Sequence, residues 1–192
     1  MIRQFILAAV LACTGLVSGA QAATVGGAAS NRPNADGYSY FALAFTTKVF
    51  EEGTITNWET YIRSVGNGKM ALLVLSQVNS DTFKVKGVDY RTVVYGLNQF
   101  TSSIGVSDGD ILGVYMETAK VAWSSGGAPI QYSDHSTITS MPLVNQNLRI
   151  RYANRREYSL NATVTPPAVP LPAAGFLLLG ALGGLGLVQR RK

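Results

Sequence analysis

Short apolar or alternating runs, separated by turn residues, fill the middle of the chain. Between residues 38 and 50, Phe41, Leu43 and Phe45 fall on one face of a strand and the intervening alanines fall on the other. Residues 70–78 are continuously apolar, which is typical of a strand buried on both faces. The pattern predicts strands at residues 38–50, 54–65, 70–78, 82–88, 90–97, 111–118, 120–124, 148–153 and 157–164.

Glycine, asparagine, aspartate and serine punctuate the joins between these runs. Gly66-Asn67-Gly68 is a strong turn signal, since glycine and asparagine tolerate positive φ. Many short strands joined in this way predict an antiparallel sheet structure. We therefore expect an all-β fold, an antiparallel β-sandwich, over residues 23–164, with residues 23–34 as a loose lead-in or first edge strand.

Two segments carry a resemblance to known folds. Residues 106–113 read VSDGDILG, a hairpin turn that enters an apolar strand, and residues 156–162 read REYSLNA, an alternating last strand. Both resemble segments of secreted jelly-roll-like sandwiches, including some carbohydrate-binding-like modules. The resemblance implies a jelly-roll-like sandwich, and a fold by itself does not fix a function.

The first 22 residues have the layout of a secretory signal peptide. A short polar start precedes an apolar segment at residues 5–17, which is too short to span a bilayer as a retained helix. The small side chains of Ala20 and Ala22 suit the pockets of signal peptidase. We predict cleavage after Ala22, with cleavage after Ala23 as the alternative.

The far end has a second ordered set of parts. Residues 165–168 form a Pro-rich spacer, which cannot join a sheet ladder. An apolar run at residues 175–188 and the cationic residues 189–192 end the chain. Between spacer and run lies the motif Val169, Pro170, Leu171, Pro172 and Ala173. This arrangement over residues 169–192 resembles the PEP-CTERM family of sorting signals, in its VPLPA variant.

The sorting-signal resemblance implies a Gram-negative bacterium and an exosortase, a membrane protease that cuts near the motif. Residues 175–188 would serve as a short transmembrane helix that holds the protein transiently in the inner membrane, with the terminal cations in the cytoplasm. The protein would then pass to the cell envelope, the surface or the extracellular matrix. The alternative is an anchor that is kept. The expected partners are signal peptidase, the exosortase and the membrane.

Charge and cysteine content limit the function of the middle domain. The net charge of +5 comes mostly from the ends: removal of Arg3, Arg190, Arg191 and Lys192 leaves twelve lysines and arginines against eleven acidic residues. Such a balance offers no basic field for nucleic acid. The only cysteine, Cys13, lies in the signal peptide and loosely fits a lipoprotein box as an alternative. The mature domain therefore has no disulfide or thiol nucleophile.

Aromatic and cationic side chains give the candidates for ligand binding. Aromatic rings can stack on sugar rings through apolar contact, although the same residue types also fill sandwich cores. The candidate aromatic residues are Trp58, Tyr115, Trp123 and Tyr132. The densest group of cations, which suits either an acidic polysaccharide or a solvated strand face, comprises Arg149, Arg151, Arg155 and Arg156.

No catalytic or cofactor motif stands out. Asp108 and Asp110 flank Gly109, which suits a tight turn with aspartate caps or, as the alternative, a Ca²⁺ site. The only histidine, His135, lies between an aspartate and a serine, but neighbours in sequence do not form a catalytic triad. Glu51 and Glu52 would point to opposite faces of a strand, so they do not form a glycosidase pair.

These features together favour a non-enzymatic surface or matrix protein whose ligand is a polysaccharide or another envelope component. We expect no cofactor, apart from the Ca²⁺ alternative. Two other functions stay open: a structural protein without a ligand, and a secreted hydrolase that acts on glycans. Exposed aromatic rings would favour the binding protein, and fully buried rings would favour the structural protein.

Overall fold

The computed structural model describes residues 21–134 and 138–168. They form one 12-stranded sheet in which every paired strand is antiparallel. The strands are β1 (Ala23–Gly26), β2 (Asn34–Ala35), β3 (Phe41–Val49), β4 (Gly53–Ser64), β5 (Lys69–Gln77), β6 (Thr82–Thr92), β7 (Gly96–Val106), β8 (Ile111–Met116), β9 (Lys120–Tyr132), β10 (Asn147–Arg149), β11 (Tyr152–Tyr158) and β12 (Leu160–Thr165). The predicted all-β, antiparallel class is confirmed.

The strand order is β1-β12-β4-β9-β3-β8-β5-β6-β10, with β2 and β11 on β9 and β7 on β4. The long strand β9 joins the two parts of the sheet, because its first residues pair with β4 and its later residues pair with β11 and β3. Strands β11 and β12 are consecutive in the chain but pair with different strands. β11 pairs with β9 up to Tyr158, and β12 pairs with β4 from Leu160.

Two apolar clusters lie on opposite faces of the central strands β3, β5 and β8. Phe41, Leu43 and Phe45 point into the larger cluster, which side chains of β4 and β12 complete. Ala42 and Ala44 point into the smaller cluster, which the segment from Ile138 to Ile150 covers. The period-two pattern predicted for β3 is therefore confirmed. Residues 70–75 of β5 are fully buried, as expected for a strand with both faces covered.

Several strand boundaries differ from the predicted ones. The predicted strand at residues 90–97 is wrong, because the chain turns between β6 and β7 at Gly96, whose φ is +97°. The side chain of Asn98 holds this turn through hydrogen bonds with the backbone N–H and carbonyl of Val94. Strand β7 pairs with β4 only, and its mostly polar sequence lacks the apolar run that predicts a buried strand.

The first and last strands of the chain lie side by side. Strand β1 is the predicted first edge strand, and its Ala23 and Thr24 pair with Val164 and Thr163 of β12. The described residues contain no helix long and apolar enough to cross a membrane. Residues 1–20 and 169–192, which carry most of the predicted signal peptide and the whole predicted sorting tail, lie outside the described residues.

Candidate functional site: an aromatic cleft

A cleft of about 410 Å³ opens where β9 and β11 meet the segment that precedes β3. This volume lies within the range of small-molecule sites. Its aromatic lining comes from Tyr38, Phe41, Trp123, Tyr132, Tyr152 and Tyr158. Its polar lining comes from Asp36, Ser133, Asp134 and Arg156. The cleft thus combines many aromatic rings with a few polar groups, which is typical of a ligand site.

Strand pairing brings the aromatic residues of β9 and β11 together. Tyr152 is opposite Tyr132 at one end of the pair, and Tyr158 is opposite Trp123 at the other. Between them, residues 126–128 of β9 bulge out of the ladder. A Cβ atom on Gly127 would lie 2.5 Å from the backbone of Arg156 and Glu157, so only glycine fits there. The bulge thus keeps both aromatic pairs on the cleft side of the paired strands β9 and β11.

The residues before β3 reach the cleft along β9. The short strand β2 pairs with β9, with Asn34 opposite Trp123, and the next residues supply Asp36 and Tyr38. Arg32 fixes this segment through a 2.9 Å ion pair with Glu157 and a hydrogen bond to Ser124. One wall of the cleft therefore comes from the N-terminal segment of the described chain.

The floor of the cleft is a network of three side chains. The carboxylate of Asp36 accepts a hydrogen bond from the Arg156 guanidinium on one oxygen and from the Tyr158 hydroxyl, at 2.8 Å, on the other. The side chain of Asp36 is only 5% exposed, and that of Arg156 is 26% exposed. Because charged hydrogen bonds of this kind are strong, they fix the position of the guanidinium.

Arg156 in turn covers a face of Trp123. The guanidinium carbon lies 3.8 Å from the centroid of the indole ring, within cation–π distance. One face of this ring is therefore already occupied by the protein. The tryptophan acts as a support for Arg156, and the rings that remain open to solvent are those at the rim.

Burial sets the protonation behaviour of the floor. It raises the pKa of Asp36 above its ordinary value, although the hydrogen bond from Tyr158 and the charge of Arg156 act in the opposite direction. Burial also raises the pKa of Tyr158, and the nearby Asp36 charge adds to this effect. The phenol therefore keeps its proton and remains a donor to Asp36 at neutral pH.

The rim carries the exposed rings. Tyr38 is 62% exposed, and Tyr152 is 37% exposed. Tyr152 stacks on Tyr132 with the ring centroids 5.4 Å apart, and the Arg151 guanidinium lies 4.9 Å from the Tyr152 centroid on the same rim. Arg151 also donates a hydrogen bond to the Tyr152 hydroxyl. The Tyr152 ring is thus held in place while part of it stays in contact with solvent.

The structure separates the four predicted aromatic residues into two groups. Trp123 and Tyr132 line the cleft. Trp58 and Tyr115 are fully buried, so neither can present a ring to a ligand. Trp58 packs in the larger core cluster and donates a 2.8 Å hydrogen bond from its indole N–H to Asp89. Its burial on the same side as Ile55, three positions away, follows from a one-residue bulge in β4 against β12.

The predicted turn at Gly109 is present, and its two aspartates differ. Gly109 has a φ of +85°, and Asp108 is exposed. Asp110 is nearly buried; it accepts a hydrogen bond from the backbone N–H of Ser107 and forms a 2.9 Å ion pair with Lys86. No group of three or more candidate metal ligands occurs among residues 21–134 and 138–168. A carboxylate paired with a lysine does not supply the oxygen shell that Ca²⁺ needs.

The cleft also contains residues that the sequence pattern does not single out: Asp36, Tyr38, Tyr152 and Tyr158. Of the four arginines in the predicted cationic group, Arg156 alone lines the cleft, while Arg149, Arg151 and Arg155 are exposed. The one sequence signal for Tyr158 is its alternation with polar residues in the last strands. His135 lies outside the described residues.

Comparison with known proteins adds no family to this description. No family model matches the chain, and no curated protein or solved structure matches it either.

Proposed function

We propose that the chain is an exported cell-surface or extracellular-matrix protein that binds polysaccharide in the aromatic cleft and catalyses no reaction. In this proposal the sheet is a jelly-roll-like sandwich. The presence of two large apolar clusters that share the central strands is the observation in favour of this fold. The observation that carries the binding function is the pairing of exposed rim rings, Tyr38 and Tyr152, with the fixed floor of Asp36, Arg156 and Tyr158.

Sugar binding requires both aromatic rings and polar groups. A pyranose ring has an apolar C–H face and a rim of hydroxyl groups, so an aromatic ring can cover the face while polar groups bind the rim. Tyr38 and Tyr152 would cover such faces. At the floor, the Arg156 side chain is 26% exposed, and its guanidinium can donate hydrogen bonds to the hydroxyl groups.

A non-catalytic role fits the state of the acidic groups in the cleft. A glycosidase needs two carboxyl groups on either side of the bond that it cuts, one of them able to give up a proton. Asp36 is engaged by Arg156 and Tyr158 on its two oxygens. A hydrolase therefore stays the weaker candidate, and a ligand-free structural protein is the other alternative that the binding experiment tests.

Export is the second part of the proposal. The first strand begins at Ala23, directly after the favoured cleavage site, and the last strand ends at Thr165, where the Pro-rich spacer begins. Cleavage after Ala22 would leave β1 whole, whereas cleavage after Ala23 would remove its first residue. The paired β1 and β12 would place both processing points at one edge of the sheet.

Intact-mass analysis of the protein recovered from the native cell surface, with terminal peptide mapping, tests the export proposal. We expect a start at Ala23 and the loss of all residues after the Val169–Pro172 motif. If residues 175–192 are still present, exosortase processing is wrong and the protein is an ordinary anchored envelope protein.

Affinity electrophoresis of the same purified protein in gels that contain polysaccharides tests the binding proposal. We expect at least one polysaccharide to retard the protein, and the double substitution Tyr38→Ala, Tyr152→Ala to abolish the retardation. Because both side chains are exposed, the thermal midpoint should stay unchanged. Failure of every polysaccharide to retard the protein would favour the structural alternative, whereas release of shortened glycan would favour the hydrolase.

A further inference from the structure

The charge balance of the cleft indicates which saccharides it accepts. Arg156 is the only cation among the described lining residues, and Asp36 neutralises it inside the network. A second carboxylate, that of Asp134, also lines the cleft. Among the described residues, the lining therefore carries no cation in excess of its carboxylates.

Binding of an acidic saccharide in this cleft would cost desolvation free energy. A carboxylate that leaves water needs a cation or several donors in return, because an unpaired charge in a poorly solvated site is strongly unfavourable. Arg156 cannot form equally strong ion pairs with two carboxylates, since it is already paired with Asp36, whose side chain is only 5% exposed. Hydroxyl groups carry no such charge, and each can both donate and accept a hydrogen bond.

The neighbouring cations lie outside the lining. Lys120 is close enough to Asp36 for their charges to attract, but it is buried, donates a hydrogen bond to the Ser39 hydroxyl and does not line the cleft. Arg151 lies at the rim, where it contacts the ring and the hydroxyl of Tyr152. Arg151 is thus a cation that an acidic saccharide could reach beside the exposed Tyr152 ring.

We infer that the cleft selects uncharged polysaccharides, through the charge-balanced pair of Asp36 and Arg156 at its floor and the rings of Tyr38 and Tyr152 at its rim. This inference rests on the proposed polysaccharide-binding function and adds the class of the ligand. Arg151 positions the Tyr152 ring and does not bind an anionic group of the ligand.

A matched pair of ligands tests the selection. The probes are neutral glucans and galactomannans, each compared with the same polymer after oxidation of its primary hydroxyl groups to carboxylates, in affinity electrophoresis with the processed protein. We expect the best neutral polymer to lose at least about tenfold in affinity on oxidation. Binding of the neutral polymer should change little between about 20 and 300 mM NaCl, since no ion pair with the ligand forms.

Substitutions locate the binding. Tyr38→Ala should weaken binding of the neutral polymer by about tenfold, because it removes an exposed ring. The matched control is Tyr95→Ala, since Tyr95 is 61% exposed and lies outside the cleft. Arg151→Gln should weaken binding of the neutral polymer modestly, by about threefold and equally at low and high salt, because it loosens the Tyr152 ring but removes no ion pair with the ligand.

The possible results separate the two proposals. Equal or tighter binding of the oxidised polymers, weakened by salt and by Arg151→Gln, would overturn the selection and leave polysaccharide binding intact. Binding of a neutral polymer that neither Tyr38→Ala nor Tyr152→Ala affects would place the site elsewhere and overturn the role of the cleft. Absence of binding to every polymer, neutral and oxidised, would overturn both the inference and the proposed function.

Discussion

Two nearly buried aspartates, each paired with a cation, stabilise different kinds of structure. The carboxylate of Asp110 binds Lys86 and the backbone N–H of Ser107, so it closes the turn between β7 and β8 and links that turn to β6. The carboxylate of Asp36 binds Arg156 and Tyr158, which lie 120 and 122 positions away in the chain. The first aspartate shapes local backbone, and the second joins the N-terminal segment to β11 and makes the floor of the cleft.

The cations also differ in their access to water. The Lys86 side chain is 35% exposed, so water can replace Asp110 around its ammonium group. Arg156 is less exposed, and Tyr158 is almost fully buried. Loss of the aspartate should therefore cost more at the cleft than at the turn, since buried donors left without an acceptor cost more than exposed ones.

Asp36→Ala should have the largest effect, with a loss of about 3 kcal/mol in the free energy of unfolding, because it leaves a buried guanidinium and a buried hydroxyl without their acceptor. It should also abolish polysaccharide binding, as Arg156 loses its fixed position. Urea unfolding measures the first effect and affinity electrophoresis the second. The control is Asp81→Ala, which breaks the exposed ion pair with Arg149 and should cost less than about 1 kcal/mol. Equal losses in the two variants would contradict the special role of Asp36.

The same contrast shows which features the sequence can predict. The turn at Gly109 and the alternation of β3 depend on residues close together in the chain, and both predictions are confirmed. The burial of β5 on both faces is predictable because a continuous apolar run leaves no polar face for solvent. These signals are local, so one sequence is enough to detect them.

The cleft and the polar strand β7 carry no such signal. Asp36 lies in a polar segment, and only the pairing of β2 with β9 brings it beside Arg156. The bulge at Gly127 lets β9 continue past the two glycines, where the sequence pattern predicts an end. Burial of Trp58 rather than Trp123 depends on strand register, and the one-residue bulge in β4 against β12 reverses the face of Trp58 relative to Ile55.

Asp110→Ala tests the other side of the comparison. We expect a loss of about 1.5 kcal/mol in the free energy of unfolding, because the Ser107 N–H loses its acceptor while Lys86 turns to solvent. Polysaccharide binding should stay within about twofold of the wild type, since the turn makes no contact with the cleft. A loss as large as that of Asp36→Ala, or a loss of binding, would remove the distinction between the two sites.

Gly109→Ala tests the backbone of the same turn. A Cβ atom at this position would meet no atom within 4 Å, so only the positive φ of +85° opposes alanine. The expected loss is about 1 kcal/mol. Gly105→Ala is the matched control, since its Cβ atom would also meet open space but its φ is not in the positive range. In thermal unfolding, the midpoint temperature should decrease clearly for Gly109→Ala and not for Gly105→Ala.

The pH dependence of stability should give the smallest effect, and it isolates the Asp36 carboxyl. Burial raises the pKa of Asp36, so between its ordinary and its raised pKa the folded protein binds more protons than the unfolded chain, and stability falls as pH rises through that window. The amide side chain of the Asp36→Asn variant does not titrate. The wild type should therefore lose stability relative to the variant as the pH rises from the ordinary pKa of an aspartate through the raised pKa of Asp36, by a fraction of the roughly 1.4 kcal/mol per pH unit that one proton can contribute. The opposite slope would mean that attraction to Arg156, together with the nearby Lys120 and the hydrogen bond from Tyr158, outweighs burial. The Asp36 carboxyl would then stay ionised to lower pH, and the Asp36–Arg156 pair would stay charge-balanced over a wider pH range than burial alone allows.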